Sequence, residues 1–127
     1  MRRLGLLFVA GAVGCGGTQG SAPEPGALTL TLTSGGSNDG AMVVLVSGAP
    51  VLSVDGAAGY QVAASTDARG THVMIVGSIA TGALATLHVA DISHASAYAV
   101  TVEQVADRSS FALLDPARDQ VSLGPAR

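Results

Sequence analysis

The chain has no lysine, no tryptophan and a single cysteine, Cys15. One thiol cannot form an intramolecular disulfide, so a folded part must stand on apolar burial and backbone hydrogen bonds alone. Aromatic residues are nearly missing: after the first fifteen residues only Tyr60, Tyr98 and Phe111 remain. The core must therefore come from Val, Leu, Ile and Ala. Cations are equally scarce. Residues 15–127 keep Arg69, Arg108, Arg118 and Arg127 against all nine acids, a side-chain balance of −5. Phosphate binding needs clustered cations, so this balance argues against nucleic acid as a partner and against attraction to anionic head groups. No apolar run reaches the roughly 20 residues that a membrane-spanning helix requires.

What the chain does have begins at its first residue. Arg2 and Arg3 give a cationic start, Leu4 to Val13 an apolar run, and Ala12-Val13-Gly14 a small-residue cleavage signal that runs into Cys15. That order is the order of a secretion signal. A buried core helix is the competing explanation, but Gly5, Gly11 and Gly14 weaken a helix there. The stretch Ala12-Val13-Gly14-Cys15 resembles the lipobox of bacterial lipoproteins, with Ala12 where Leu is commoner. The resemblance implies cleavage after Gly14, a diacylglycerol on the Cys15 thiol, and sorting to the outer membrane, because Gly16 rather than Asp follows the cysteine. Ordinary cleavage and secretion is the alternative. Two acyl chains would hold a domain stably, at about 0.8 kcal/mol per buried CH₂. Residues 16–26, GGTQGSAPEPG, have no periodicity and read as a flexible linker. No strand precedes the glycines around Cys15, so a phosphate-binding loop is set aside.

From Ala27 the pattern changes to period two. Leu28, Leu30 and Leu32 alternate with Thr29, Thr31 and Thr33, which predicts a half-buried strand. Further strands are predicted over 41–47, 51–54, 60–64, 71–76, 83–89, 97–105 and 120–123, with turns rich in Gly, Asp and Ser between them. Residues 41–47, AMVVLVS, are nearly continuous in apolar character and predict a central strand. Val105 falls out of phase with Val100 and Val102, which predicts a bulge or strand end near Glu103-Gln104. Residues 107–118 read as a loop with Phe111, Leu113 or Leu114 packed inward. The expectation is an all-β domain over 27–127: a two-sheet β-sandwich, jelly-roll or immunoglobulin-like, of about eight short strands.

The strands 39–46, 51–54, 73–76 and 82–89 together resemble those of cohesin-type modules, notably Gly82-Ala83-Leu84-Ala85-Thr86-Leu87. Those modules are jelly-roll sandwiches related in shape to some carbohydrate-binding modules. The resemblance implies a fold and not a ligand, because function lives in sites rather than folds. The Tyr-Asp-Pro turn common in that family is replaced by Ser47-Gly48-Ala49-Pro50.

Candidate chemistry is sparse. If the strands around 77–82 form a hairpin, His72 and His88 face each other, and with His94 or Asp91 they could begin a metal site. Two exposed histidines on a polar face explain the same residues; the cohesin-like arrangement would place them in different sheets. Ser93-His94 beside Asp91 is too local for a catalytic triad, and no Gly-x-Ser-x-Gly elbow occurs. Asp39, Asp55, Asp67, Asp107 and Asp115 sit in turn-like segments, where Asp serves turn geometry. Calcium could sit at Asn38-Asp39 or at the Asp55 loop, although no Asp-x-Asp-x-Asp-Gly run is present. Sugar stacking wants exposed Trp or Tyr, and Tyr60 and Tyr98 read as half-buried strand residues. The expectation is a non-catalytic, lipid-anchored envelope module with no cofactor, whose partners are the membrane through Cys15 and an envelope protein or polysaccharide. A small carbohydrate- or ligand-binding module, metal-assisted at His72 and His88, is the alternative.

Overall fold

The computed structural model describes residues 22–35 and 38–125; Gly14 and Cys15, with the rest of the signal and the first part of the linker, lie outside them. Nine strands form: β1 (Gly26–Ser34), β2 (Asp39–Ser47), β3 (Val51–Gly56), β4 (Gln61–Asp67), β5 (Gly70–Val76), β6 (Gly82–Val89), β7 (Ala99–Asp107), β8 (Leu113–Leu114) and β9 (Gln120–Pro125). They pair antiparallel in a four-stranded sheet, β3-β6-β1-β9, and a five-stranded sheet, β4-β5-β2-β7-β8. The two-sheet sandwich expected from the alternation is present. One strand is additional: β8 lies in the stretch read as loop. It turns Leu114 onto the core and leaves Leu113 outside. Of the three alternatives for inward packing, Leu114 is thus the one taken, and Phe111 is 80% exposed.

Period-two alternation places the core. Leu28, Leu30 and Leu32 of β1 point inward, as do Met42, Val44 and Val46 of β2, Val73 and Ile75 of β5, and Leu84, Leu87 and Val89 of β6. Burying one such side chain is worth about 1.5–3 kcal/mol, so this layer holds a domain that has no disulfide among its described residues. β2 is central, as its apolar run requires: β5 pairs with it on one side and β7 on the other. In the β7 pairing, Val43 faces Gln104 and Val44 faces Val102, leaving Glu103 as the extra residue of a bulge where the broken alternation predicted one.

One connection decides between the two arrangements that the sequence allowed for His72 and His88. β5 and β6 do not form a hairpin; they lie in different sheets. The loop between them carries Ile79, only 2% exposed, which plugs the end of the sandwich. Its backbone N–H donates to the Asp39 carbonyl at 3.2 Å. An apolar residue buried in mid-loop draws the chain across the core and into the other layer. Gly77 permits the crossing: at φ +154°, with the Tyr60 ring so close that a Cβ would stand 2.7 Å from it, no larger residue fits.

Candidate functional site

The outer faces of the two sheets differ in chemistry. On the four-stranded sheet, Thr29 and Thr31 of β1, Thr86 and His88 of β6, Ser53 and Asp55 of β3 and Ser122 of β9 alternate with the inward residues. That face is mostly polar, with Leu52 of β3 its one exposed large apolar side chain among the described residues. On the five-stranded sheet the outward residues include Ala41, Val43 and Leu45 of β2, Met74 and Val76 of β5, Ala63 of β4 and Leu113 of β8. Nothing among the described residues covers them. Met74 and Val76 are about half exposed and Leu113 more so. A shallow groove of about 160 Å³ runs between Met74 and Leu113 over Val43 and Ala106, and a second, of about 120 Å³, lies between Met74 and His72 beside Ala63. An exposed apolar patch with a polar rim is the surface pattern of an interaction site.

Phe111 stands at the edge of this face. Its φ of +60° places a bulky residue in the left-handed region, which costs roughly 1–2 kcal/mol. The turn that holds it there is built by Asp107, whose carboxylate accepts from the backbone N–H groups of Ser109 and Ser110, both at 2.9 Å. The Phe111 N–H donates to the Asp107 carbonyl at 3.0 Å. Those hydrogen bonds hold the Asp107 carboxyl below its ordinary range. A strained backbone presenting an aromatic ring to solvent is an observation from which a binding role can be argued.

The other end of the same face is charged. His72 of β5 sits between two carboxylates: Nδ1 is 2.6 Å from Glu103 Oε1 and Nε2 is 2.8 Å from Asp67 Oδ2. Arg69 closes the cluster with a 2.7 Å ion pair to Glu103 Oε2. The bulge in β7 aims Glu103 here, across β2. The Glu103 and Asp67 hydrogen bonds push the imidazole pKa up. Glu103 is held low by His72 and Arg69; Asp67 is held low by the Arg69 backbone N–H and then by His72. The arrangement is an imidazole held between two acids and backed by an arginine, a polar cluster beside an apolar surface.

The remaining sequence candidates are dispersed. His88 is on the four-stranded sheet, paired with Asp55 at 2.8 Å, so the cross-strand couple of His72 and His88 does not exist: the crossing at Ile79 separates their strands. His94 pairs with Asp91 at 2.7 Å at a 3-10 turn, Ile92–Ala97, on neither histidine's face. Asp91 caps that turn through Ser93 and accepts from the Glu24 backbone N–H, which lowers its pKa to about 2. No group of three or more His, Cys, Asp or Glu suited to a metal ion occurs among the described residues. Asp115 caps a second 3-10 turn, Pro116–Arg118, through the Ala117 N–H. Tyr60 and Tyr98 are half-buried as expected. The Tyr60 hydroxyl accepts from Ala80 N–H, and the Tyr98 hydroxyl donates to the Pro50 carbonyl at 2.6 Å. Neither ring is a platform for a sugar. An open cleft of about 550 Å³ lies between β7 and β9, bordered by Val100, Val102, Asp115 and Gln120.

The sequence signalled the apolar face in one place: β2 is apolar at outward as well as inward positions. Nothing in the sequence marked the exposure of Phe111. No helix among the described residues is long and apolar enough to cross a membrane. Comparison with family models, with curated proteins and with solved structures finds no match.

Proposed function

We propose that this chain is a lipid-anchored protein of the cell envelope that displays a non-catalytic β-sandwich as an interaction module. Cys15 is the anchor, the residues after it the tether, and the outer face of the five-stranded sheet the docking surface. The observation that carries the docking assignment is the exposed apolar patch of Met74, Val76 and Leu113 flanked by the strained, solvent-facing Phe111. The partner it fits is another envelope protein rather than a polysaccharide. Apolar side chains exclude water from an aliphatic partner surface, whereas sugar recognition calls for exposed tyrosine or tryptophan, and both tyrosines are half-buried here. The Asp67–His72–Glu103–Arg69 cluster gives such a surface orientation, since charged rims set register more than affinity.

A small-ligand module is the second reading, and the β7–β9 cleft is what favours it. Its openness to solvent is unlike the enclosed pockets that bury most of a small ligand.

Anchoring is tested by mass spectrometry and membrane fractionation of wild type and Cys15→Ala. Diacylated wild type in the membrane fraction and a released variant are expected; unlipidated, soluble wild type overturns the anchor. Docking is tested with a Phe111→Ser, Leu113→Ser double variant. It should keep the wild-type melting temperature to within a few degrees and lose the envelope-protein cross-links that wild type forms. Unchanged cross-links would remove the docking assignment.

A further inference from the structure

A further groove, of about 420 Å³, lies at the Phe111 end of the five-stranded sheet. Its floor is glycine. The Gly77 N–H donates to the Gly40 carbonyl at 3.1 Å, and a Cβ on Gly77 would stand 2.9 Å from the Gly59 carbonyl oxygen. A Cβ on Gly40 would stand 2.6 Å from the Arg108 Cα. The main chains of these residues are in close contact, and the glycines put no side chain between the floor and whatever enters.

The walls combine two chemistries. Val76 and the outward-held Phe111 supply apolar surface, and Arg108 supplies a cation. The Arg108 backbone is fixed, its N–H donating to the Asn38 carbonyl at 2.6 Å. Its side chain is uncommitted: Arg108 is exposed and forms no ion pair among the described residues, whereas Arg69 is paired with Glu103. Asp107 attracts it, but that carboxylate is engaged by the N–H groups of Ser109 and Ser110. Asp39, which pairs in register with Asp107, is fully buried. The turn that Asp107 builds thus sets an unpaired guanidinium and a solvent-facing ring on the same groove.

That combination selects a ligand. One guanidinium matches one carboxylate, which it can hold by two parallel hydrogen bonds. A single cation in an acid-rich chain without lysine does not suit a doubly charged phosphate. The carboxylate must lie next to an apolar group that covers Val76 and the Phe111 ring, on a main chain able to approach a glycine floor. A polypeptide C-terminus that ends in an apolar residue has all three. The groove is open on its outer side. A chain end arrives with the body of its own protein, which closes that side; a small carboxylic acid does not.

We propose that this groove captures the C-terminal carboxylate of a partner polypeptide whose last residue is apolar. Arg108 takes the carboxylate, and Phe111 with Val76 takes the side chain. The assignment rests on the reading of this face as a protein-docking surface and names the part of the partner that enters it.

The test is fluorescence polarisation of short labelled peptides ending in leucine, one with a free C-terminus and one amidated, titrated with the purified full-length protein. The free acid should bind about tenfold more tightly, as expected of a charge-assisted pair. Arg108→Gln should bring the two affinities to within about twofold of each other and move the melting temperature by no more than a few degrees. Phe111→Ser should weaken both peptides alike. Equal affinities for acid and amide in the wild-type protein overturn the assignment without any variant, and a preference for the acid that survives Arg108→Gln overturns it as well. If neither peptide binds while the wild type keeps its envelope-protein cross-links, capture of a terminus is wrong and the docking surface stands. If the cross-links are absent too, both fall.

Discussion

The outer face of the four-stranded sheet carries Thr29, Thr31, Thr86, Ser122 and an exposed His88–Asp55 pair; that of the five-stranded sheet carries Val43, Leu45, Met74, Val76 and Leu113. Both faces belong to one sandwich and rest on one core, so burial within the domain does not explain the difference. Polar outward residues satisfy what a solvated sheet needs. Apolar outward residues gain nothing in the isolated domain, and the proposed docking role gives them a covering partner. The charge pattern follows the same division. His88 has one acidic partner, whereas His72 is gripped by two and backed by Arg69.

The largest expected effect separates the inside of β2 from its outside. Met42→Ala should cost about 3 kcal/mol, as buried large-to-small changes do, and its neighbour Val43→Ala less than about 1 kcal/mol. Urea unfolding measures both, and equal losses would mean that the outer face is covered within the domain. Next comes Phe111→Gly, which removes the left-handed strain and should stabilise the fold by about 1 kcal/mol. A loss of stability would show that the exposed ring is packed in solution. The two histidines sharpen the comparison further. The folded His72 pKa is raised, so its contribution is complete below the unfolded value of about 6.5 and is lost as pH rises through the folded value. His72→Gln should therefore lower the melting temperature more at pH 5.5 than at pH 8.5. His88→Gln should cost at most the ~0.2–1 kcal/mol of one exposed pair. The smallest effect on stability belongs to Met74→Glu with Leu113→Glu. It should leave unfolding nearly unchanged and reduce binding of a hydrophobic dye; undiminished dye binding would place the apolar surface elsewhere.

Much of this arrangement was legible in the residues. Leu28, Leu30 and Leu32 against the intervening threonines fixed the inward face of β1, and the run at 41–47 marked the central strand. The phase slip after Val102 located the bulge at Glu103. Sheet membership was not legible. Two strands joined by five residues could form a hairpin or, in the cohesin-like arrangement, lie in different sheets, and the residue that bears on the choice is Ile79, apolar inside a loop otherwise of Gly, Ser, Ala and Thr. The partners of His72 were hidden because Glu103 reaches it across β2, which only the order β5-β2-β7 reveals. Asp39 was read as a turn former because its neighbours are Asn38 and Gly40; its burial comes from the layer above it, which local sequence does not encode. Of Phe111, Leu113 and Leu114, the three alternatives for inward packing, Leu114 is the one that packs on the core, and the Asp107-capped turn holds Phe111 outward.

The most direct test compares the two faces in the intact envelope. A photo-reactive phenylalanine analogue is placed at Val76 on one sheet and at Thr86 on the other, and adducts are identified after irradiation. The account predicts a discrete protein adduct from position 76 and none from position 86. No adduct from position 76, or equal adducts from both, would contradict it.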